Sequence, residues 1–134
     1  KGGTGVYHGP PVFFSPSTLL NSNLRTVNTV NLKTGTFSAS GFTADVLGSI
    51  PLTSGTYIIG CNVTGALSDS TATGVVGLQC GQYKVRQGAI AGFDVELVMI
   101  YKTTSNTSIN INLLHHRTFR VDEARCYMIK LNDN

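Results

Sequence analysis

The sequence predicts an all-β fold, an antiparallel β-sandwich or jelly roll, and three observations support this prediction. Apolar and polar residues alternate along most of the 134-residue chain, which is the pattern of half-buried strands. Turn-forming residues separate these runs at regular intervals. No run of ten residues has the 3.6-residue periodicity of an amphipathic helix. Short strands with regular turns are typical of sandwiches and jelly rolls.

Six runs have the strand pattern, and in chain order they are 24–33, 54–63, 74–83, 94–102, 107–114 and 126–131. The first alternates imperfectly and has room for a bulge. In the second, Tyr57, Ile59 and Cys61 share one face. The run TSININLL is the clearest, with Ile109 and Ile111 predicted to point inward. The turns between these runs are predicted at 33–35, 53–55, 65–74, 86–92 and 103–106.

The run 94–102 is apolar on both faces, because Val98 and Ile100 fill the face opposite Val95 and Leu97. A sandwich buries one face of each sheet, so the second face needs a cover. A long loop or another subunit could supply it, and we favour another subunit because only 13% of the residues are charged. A homo-oligomer is the usual outcome of such a patch.

The stretch PLTSGTYIIGCNV at 51–63 resembles a strand of the tumour necrosis factor and C1q-like family. That strand opens with Gly-x-Tyr, here Gly55 and Tyr57, and continues with alternating apolar residues. The preceding NLKTGTFSASGF and the closing ARCYMIKL resemble the family's neighbouring hairpin and last strand. The chain departs from the family at Gly60, where many members have an aromatic residue. Phe37 and Phe42 also lie too far upstream for the C1q-type aromatic spacing.

The resemblance implies a jelly-roll homotrimer that acts as a recognition head, with ligand contacts on its outer loops. On this basis we expect aromatic and apolar residues of two central strands and the last strand at the trimer interface. These are Tyr57, Val98, Met99, Ile100, Tyr101 and Tyr127.

Residues 1–17 are rich in glycine and are predicted to form a neck, followed by a head domain at 18–134. One collagen-like triplet is present, but its period is not sustained. The chain does not begin with Met, so we expect a fragment or a processed form. The composition, rich in Ser, Thr, Asn and Gly, resembles phage spike heads, in particular the C-terminal heads of the vertex spikes of tailless, membrane-containing bacteriophages (tectiviruses).

This resemblance implies a spike head on the virion surface, assembled in the host cytoplasm and attached to an upstream stalk and to vertex proteins. Its partners would be two further copies of itself and a receptor on the host cell. Two alternatives stay open: a structural module that trimerises a spike or fibre without binding a receptor, and a secreted C1q-like binding domain. The secreted domain would predict glycans at Asn62 or Asn106.

Loops on a rigid scaffold are the natural binding surfaces, here the predicted loops 65–74 and 86–92 and the basic segment after LLHH. The candidate receptor contacts are Ser68, Asp69, Arg86, Gln87, Arg117 and Arg120. Two arginines near His116 suggest an anionic sugar or phosphate as the ligand.

Composition argues against several other classes of protein. The net charge of +3 is mild and its basic residues are scattered, which does not favour a nucleic-acid partner. No apolar run reaches the roughly 18 residues of a membrane-spanning helix.

We expect no enzyme, cofactor or metal site. The sequence has no nucleophile elbow and no phosphate-binding loop with its Lys. The carboxylate pairs Asp94/Glu96 and Asp122/Glu123 are more typical of a solvated strand face than of acid–base catalysis. His115 and His116 must point to opposite faces of a strand, so one chain cannot chelate a metal with both. A three-fold axis could still gather three copies of one histidine.

The three cysteines are Cys61, Cys80 and Cys126, and the first two share strand faces with apolar residues. They are expected to pack as small hydrophobic residues and to stay free thiols in a reducing cytoplasm. A Cys61–Cys80 bridge between neighbouring strands is the alternative.

Overall fold

The computed structural model describes residues 27–69, 72–89 and 91–133, and within them the chain forms nine strands and no helix. The strands are β1 (Val27–Asn31), β2 (Gly35–Phe37), β3 (Thr43–Leu52), β4 (Gly55–Leu67), β5 (Gly74–Cys80), β6 (Tyr83–Ala89), β7 (Gly92–Thr103), β8 (Thr107–His115) and β9 (Phe119–Asn132). The all-β prediction is confirmed. The predicted neck, 1–17, lies outside the described residues, as do residues 18–26 of the predicted head.

The strands form two antiparallel sheets. Strands β1, β9, β4 and β7 pair in that order, and β2 also pairs with β9, which makes a five-stranded sheet. The four-stranded sheet has the order β3, β8, β5 and β6. The pairs are nested along the chain: β5 with β6, β4 with β7, β3 with β8, and β1 and β2 with β9. The chain therefore crosses between the sheets repeatedly, and its connecting turns gather at the two ends of a β-sandwich.

Side chains that alternate inward along each strand fill the space between the sheets. The buried residues of both sheets form one hydrophobic cluster. The largest of those with almost no exposure are Phe119, Leu47, Ile50, Ile59, Leu78, Ile111 and Leu113. Burying such side chains is the main favourable contribution to folding, about 1.5–3 kcal/mol for each large aliphatic side chain. The predicted inward faces of β4 and β8 are confirmed.

Tyr57 anchors the turn before β4 from within the core. Its ring is 4% exposed, and its hydroxyl donates to the carbonyl oxygen of Thr53 at 2.9 Å. The backbone N–H of Thr53 donates to the same hydroxyl at 3.0 Å. A buried tyrosine hydroxyl needs such partners because leaving it unpaired in the core is costly.

Strand β3 does not follow the simple alternation, which is why the sequence did not predict it. The pairing of β3 with β8 shifts between Val46 and Gly48, so a bulge lies at this point. Both Leu47 and Ile50 are buried although they are three residues apart. A bulge adds one residue to one strand and breaks the period of two, so the alternation of apolar and polar residues no longer indicates a strand.

Two of the predicted turns are shorter than expected. Strand β4 continues to Leu67, so the turn predicted at 65–74 begins three residues later. Strand β6 includes Arg86 and Gln87, which were predicted to lie in a loop at 86–92. Glycine and small polar residues at 86–92 suggested a turn, but pairing with β5 keeps this edge strand extended up to Ala89.

Gly65 lies at a close approach of β4 and β9. A Cβ atom on Gly65 would overlap the backbone carbonyl oxygen of Arg120 and lie 2.9 Å from the Phe93 ring. The register of β4 and β9 shifts at the same place, between Thr64 and Gly65. A residue without a side chain therefore lets the two strands stay paired through this irregularity.

Candidate functional site

One end of the sandwich gathers the connections that follow β2, β4, β6 and β8, and we call it the loop end. The backbone N–H of Ser68 donates to the carbonyl oxygen of Thr118 at 3.1 Å, and that of Leu67 donates to Ala91 at 3.2 Å. The N–H of Ala39 donates to the Thr118 hydroxyl at 3.3 Å. Hydrogen bonds between turns of different strands thus hold the loop end as one surface.

A hollow of about 430 Å³ opens between these turns, and we call it the loop-end hollow. Its lining residues come from the connections after β2, β4 and β8 and are Ala39, Ser40, Leu67, Ser68, Asp69, His116, Arg117 and Thr118. The residues that line this open cavity thus include three with a hydroxyl group, one carboxylate, one imidazole and one guanidinium. Such a set of donors and acceptors suits a ligand rich in hydroxyl groups or one that carries an anion.

His115 fixes the turn that carries the loop-end hollow. Its side chain is fully buried, and Nε2 lies 2.6 Å from the Oδ2 atom of Asp45 on β3. Its Nδ1 atom lies 2.7 Å from the carbonyl oxygen of Arg117. The ring also stacks on Phe119, with centroids 5.8 Å apart. Because both ring nitrogens are held, the backbone that presents His116 and Arg117 is anchored to the neighbouring strand.

Strand β8 ends at His115, so His116 lies in the turn that follows rather than on the strand, where the sequence predicted both histidines. His115 lies in the core, whereas His116 is half-buried and lines the loop-end hollow. The Nδ1 atom of His116 is shielded from solvent and has no hydrogen-bond partner among the described residues. His116 also stacks against Phe42, with ring centroids 5.3 Å apart and planes at 32°.

Three of the six predicted receptor contacts meet at the loop-end hollow: Ser68, Asp69 and Arg117. The other three do not. Arg86 and Gln87 lie in β6 of the four-stranded sheet, and Arg120 lies in β9.

The outer face of the five-stranded sheet carries two apolar rows, which we call the apolar band. The rows cross β9, β4 and β7 and consist of Ile129, Ile58 and Ile100, then Tyr127, Gly60 and Val98. The next rows are polar: Asn132, Thr56 and Lys102 at one side, and Arg125, Asn62 and Glu96 at the other. Val98 is 56% exposed and Ile100 63% exposed, whereas Ile129 is 3% exposed, so the most open part of the band lies on β7. A rimmed apolar patch of this kind marks an interaction surface in soluble proteins.

The residues predicted for the trimer interface fall into two groups. Val98, Ile100 and Tyr127 lie on the apolar band. Tyr57 and Met99 are enclosed in the core of their own chain, and Tyr101, Tyr57's partner on β7, is half-buried against that core. We therefore remove these three from the interface, because their positions in the strand alternation point them inward.

Sequence reasoning missed two members of the apolar band, Ile58 and Ile129. Ile129 is 3% exposed but does not belong to the cluster between the sheets. The signal for Ile58 was present, because two isoleucines in succession on one strand must point to opposite faces. The signal for Ile129 was present as well, because it alternates with Tyr127 on one face of the last predicted strand.

The cysteines pack in the core, and Cys61 faces a different partner from the one considered. Its Sγ atom lies 2.8 Å from that of Cys126 on the neighbouring strand β9. Cys80 lies on β5, in the other sheet, so Cys61 and Cys80 are not on neighbouring strands and the alternative of a bridge between them on such strands is wrong. All three are free thiols in the structure.

The surroundings of Cys61 and Cys80 keep these two thiols in their protonated form. The hydrogen bond to Cys126, followed by burial, raises the pKa of the Cys61 thiol far above its ordinary value. Burial raises the pKa of Cys80 to about 12. Reactivity belongs to the thiolate, so these groups behave as inert packing in the folded chain.

The carboxylate pairs lie on exposed strand faces and have ordinary partners. Arg120 Nε donates to Asp122 Oδ1 at 2.7 Å, and this hydrogen bond lowers the pKa of the Asp122 carboxyl. Arg125 pairs with Glu123 at 2.9 Å. The amide of Asn62 donates to Asp94 at 2.6 Å. Exposed pairs of this kind contribute little to stability and screen the charge of the surface.

Helices long and apolar enough to cross a bilayer are absent from the described ranges. Within the same ranges, no three His, Cys, Asp or Glu side chains are grouped so that they could hold a metal ion. Comparison with known proteins gives neither a matching family model nor a similar curated protein.

Proposed function

We propose that this chain is a non-catalytic recognition head with jelly-roll topology. The nested pairing of β5 with β6, β4 with β7, β3 with β8 and β1 and β2 with β9 supports this topology, because a jelly roll is a long antiparallel ribbon folded over into two sheets. The resemblance of the strand at 51–63 to the tumour necrosis factor and C1q-like family leads to the same topology.

We propose further that three copies associate through the apolar band. Val98 and Ile100 leave most of their side chains in water in a single chain, which is unfavourable for two large β-branched residues. Polar rows on both sides of the band give it the composition of an interface core with a rim. The number three comes from the resemblance, and closed symmetry is the usual arrangement for copies that share one patch.

The observation that carries the recognition role is the separation of two surfaces. The apolar band lies on the outer face of one sheet, whereas the loop-end hollow, with its polar groups, opens among the turns. Assembly through the band would therefore leave the turns that carry Ser68, Asp69 and Arg117 open to a ligand. Loops on a rigid scaffold are a common place for binding residues.

The setting that we propose is a virion surface, where the trimeric head projects from a stalk and attaches to a receptor on the host cell. This setting rests on the resemblance to phage vertex spikes. The ligand class that suits the loop-end hollow is a surface glycan, since its hydroxyls can pair with the side chains of Ser68 and Asp69 and an acidic sugar can pair with Arg117.

Binding of the fluorescently labelled protein to susceptible host cells tests this proposal. We expect saturable binding that Arg117→Ala, combined with Ser68→Ala, reduces about tenfold or more, because charge-assisted hydrogen bonds contribute about 1.5–3 kcal/mol each. Arg120→Ala is the matched control, since Arg120 is an exposed arginine that does not line the hollow. Equal losses in both variants would contradict the assigned site. Absence of binding by an intact trimer would favour the purely structural module.

A further inference from the structure

A second hollow lies on the outer face of the four-stranded sheet, and we call it the sheet-face hollow. It measures about 250 Å³ and is lined by Phe42, Thr43, Ala44, Val75, Arg86, Leu114 and His115. No part of the proposed recognition role uses this depression. Apart from Arg86, the side chains that form its walls are mainly apolar.

One row of residues across the sheet supplies three of the residues that line the hollow, Ala44, Leu114 and Arg86. Ala44, Leu114, Gly77 and Arg86 lie side by side across β3, β8, β5 and β6. A Cβ atom on Gly77 would lie 2.8 Å from Cγ of Arg86, so the stem of the arginine lies over this glycine. Ala44 and Leu114 of this row line the hollow and form its floor, and Arg86 lines its side.

Large apolar side chains surround this floor although they are open to solvent. Phe42 is 87% exposed and Val75 39% exposed. The ring of Phe42 lines the hollow and contacts that of His116, with centroids 5.3 Å apart and planes tilted by 32°. The solvent-exposed ring of Phe42 is available for aromatic contact with a second flat ring.

The charge at the rim has one sign. Among the lining residues, Arg86 is the one Lys, Arg, Asp or Glu, and it lies on β6, which is an edge strand. Among the described residues no carboxylate lies within ion-pair distance of Arg86. A cation without a partner, next to apolar walls, is complementary to a ligand with an apolar body and an anionic group.

We propose that the sheet-face hollow binds a small aromatic carboxylate. Its ring packs on Ala44 and Leu114 beside Phe42, and its carboxylate pairs with Arg86. The volume of about 250 Å³ lies just below the roughly 300–1,000 Å³ of sites for drug-sized ligands, which limits the body to one or two rings. A sugar fits less well, because apolar walls leave its hydroxyls without partners.

Titration of the intact protein with naphthoate, followed by amide NMR, tests this proposal. We expect shifts confined to the rows around Ala44, Val75, Gly77 and Leu114. The neutral analogue naphthylmethanol should bind the same place about fivefold to tenfold more weakly, since it lacks the charge-assisted contact. Arg86→Gln should remove that difference and leave the binding of naphthylmethanol unchanged.

Two further variants complete the test. Ala44→Leu fills the floor and should abolish binding of both compounds, while its amide spectrum shows that the fold is intact. Arg125→Gln, on the other sheet, should change neither affinity. Shifts located elsewhere, equal affinities for the two compounds, or no effect of Arg86→Gln would overturn the proposal. The proposed binding to host cells uses the loop-end hollow, whereas naphthoate titration reports on the sheet-face hollow. The two experiments therefore distinguish a failure of this proposal from a failure of the recognition role.

Discussion

Replacement of Ile100 by Asp is the most informative change to the proposed trimer interface. Ile100 is 63% exposed in the single chain and lies in the row with Ile58 and Ile129 on the apolar band. The substitution removes apolar surface from the band and places a carboxylate there. The fold of the single chain should tolerate it, because this side chain does not belong to the core.

The magnitude follows from the exposed fraction. Full burial of an isoleucine side chain contributes about 1.5–3 kcal/mol, so burial of the part that Ile100 exposes contributes about 1–2 kcal/mol per chain. Three copies give about 3–6 kcal/mol, which corresponds to a rise in the overall dissociation constant of about a hundredfold to ten-thousandfold. Desolvation of the three carboxylates in the proposed interface would add to this loss.

Sedimentation equilibrium over a range of concentrations measures the effect. The unaltered protein should have three times the 14.3 kDa mass of one chain, and the Ile100→Asp variant should dissociate towards that single-chain mass. Val46→Asp is the matched control, because Val46 is a valine that is 43% exposed on the other sheet. A variant that remains trimeric at the concentrations of the unaltered protein, or equal dissociation of both variants, would refute the assignment of the apolar band.

Three other predictions concern stability and thiol chemistry. Tyr57→Phe should lower the free energy of unfolding by about 1–3 kcal/mol in urea titrations, because the backbone N–H and carbonyl groups of Thr53 lose their hydroxyl partner. A loss below about 0.5 kcal/mol would contradict that role of the hydroxyl. Gly65→Ala should lower the free energy of unfolding by about 1–3 kcal/mol, because the added Cβ overlaps the facing strand. Gly88→Ala is the control: nothing lies within 4 Å of its added Cβ, so the free energy of unfolding should change by less than about 0.5 kcal/mol. Equal effects of the two substitutions would contradict the close approach at Gly65. Cys61 and Cys126 are both buried and should resist alkylation by iodoacetamide near pH 8 in the folded protein, and the hydrogen bond to Cys126 and burial also raise the pKa of the Cys61 thiol. Both cysteines should be alkylated in denaturant. Rapid alkylation of the folded protein, measured by mass spectrometry, would contradict this packing.

The sequence alone predicted what depends on local alternation. In β8 it identified both the strand and its inward residues, because Ile109, Ile111 and Leu113 keep a strict period of two. The exposed faces of Val98 and Ile100 followed from the same rule. Strand β3 escaped prediction because the bulge near Val46 breaks this period.

What depends on pairing between distant strands could not be predicted. Cys61 faces Cys126 because β9 lies beside β4, and 65 positions separate the two cysteines along the chain. The contact between Asp45 and His115 likewise joins two strands, and 70 positions separate these two residues along the chain. Arg86 was assigned to a loop, although an edge strand carries it to the sheet-face hollow. Register between sheet neighbours decides such contacts, and a one-residue slip would exchange the faces.

The proposed division of labour places assembly on one sheet and recognition at the loop end. His115 is the residue that most directly couples the core to the loop end, since its ring holds both Asp45 and the backbone of Arg117. Packing of the core thus sets the position of the turn that carries His116 and Arg117. A rigid turn costs less ordering entropy when a ligand binds.

Competition for infection tests the central claim, recognition of a host cell, most directly. Susceptible cells are saturated with the purified trimer before they meet virus, and infectious centres are then counted. The proposed role predicts a dose-dependent loss of infection with the unaltered protein and a much weaker loss with the variant that combines Arg117→Ala and Ser68→Ala. Undiminished infection at saturating concentrations of intact trimer would contradict it.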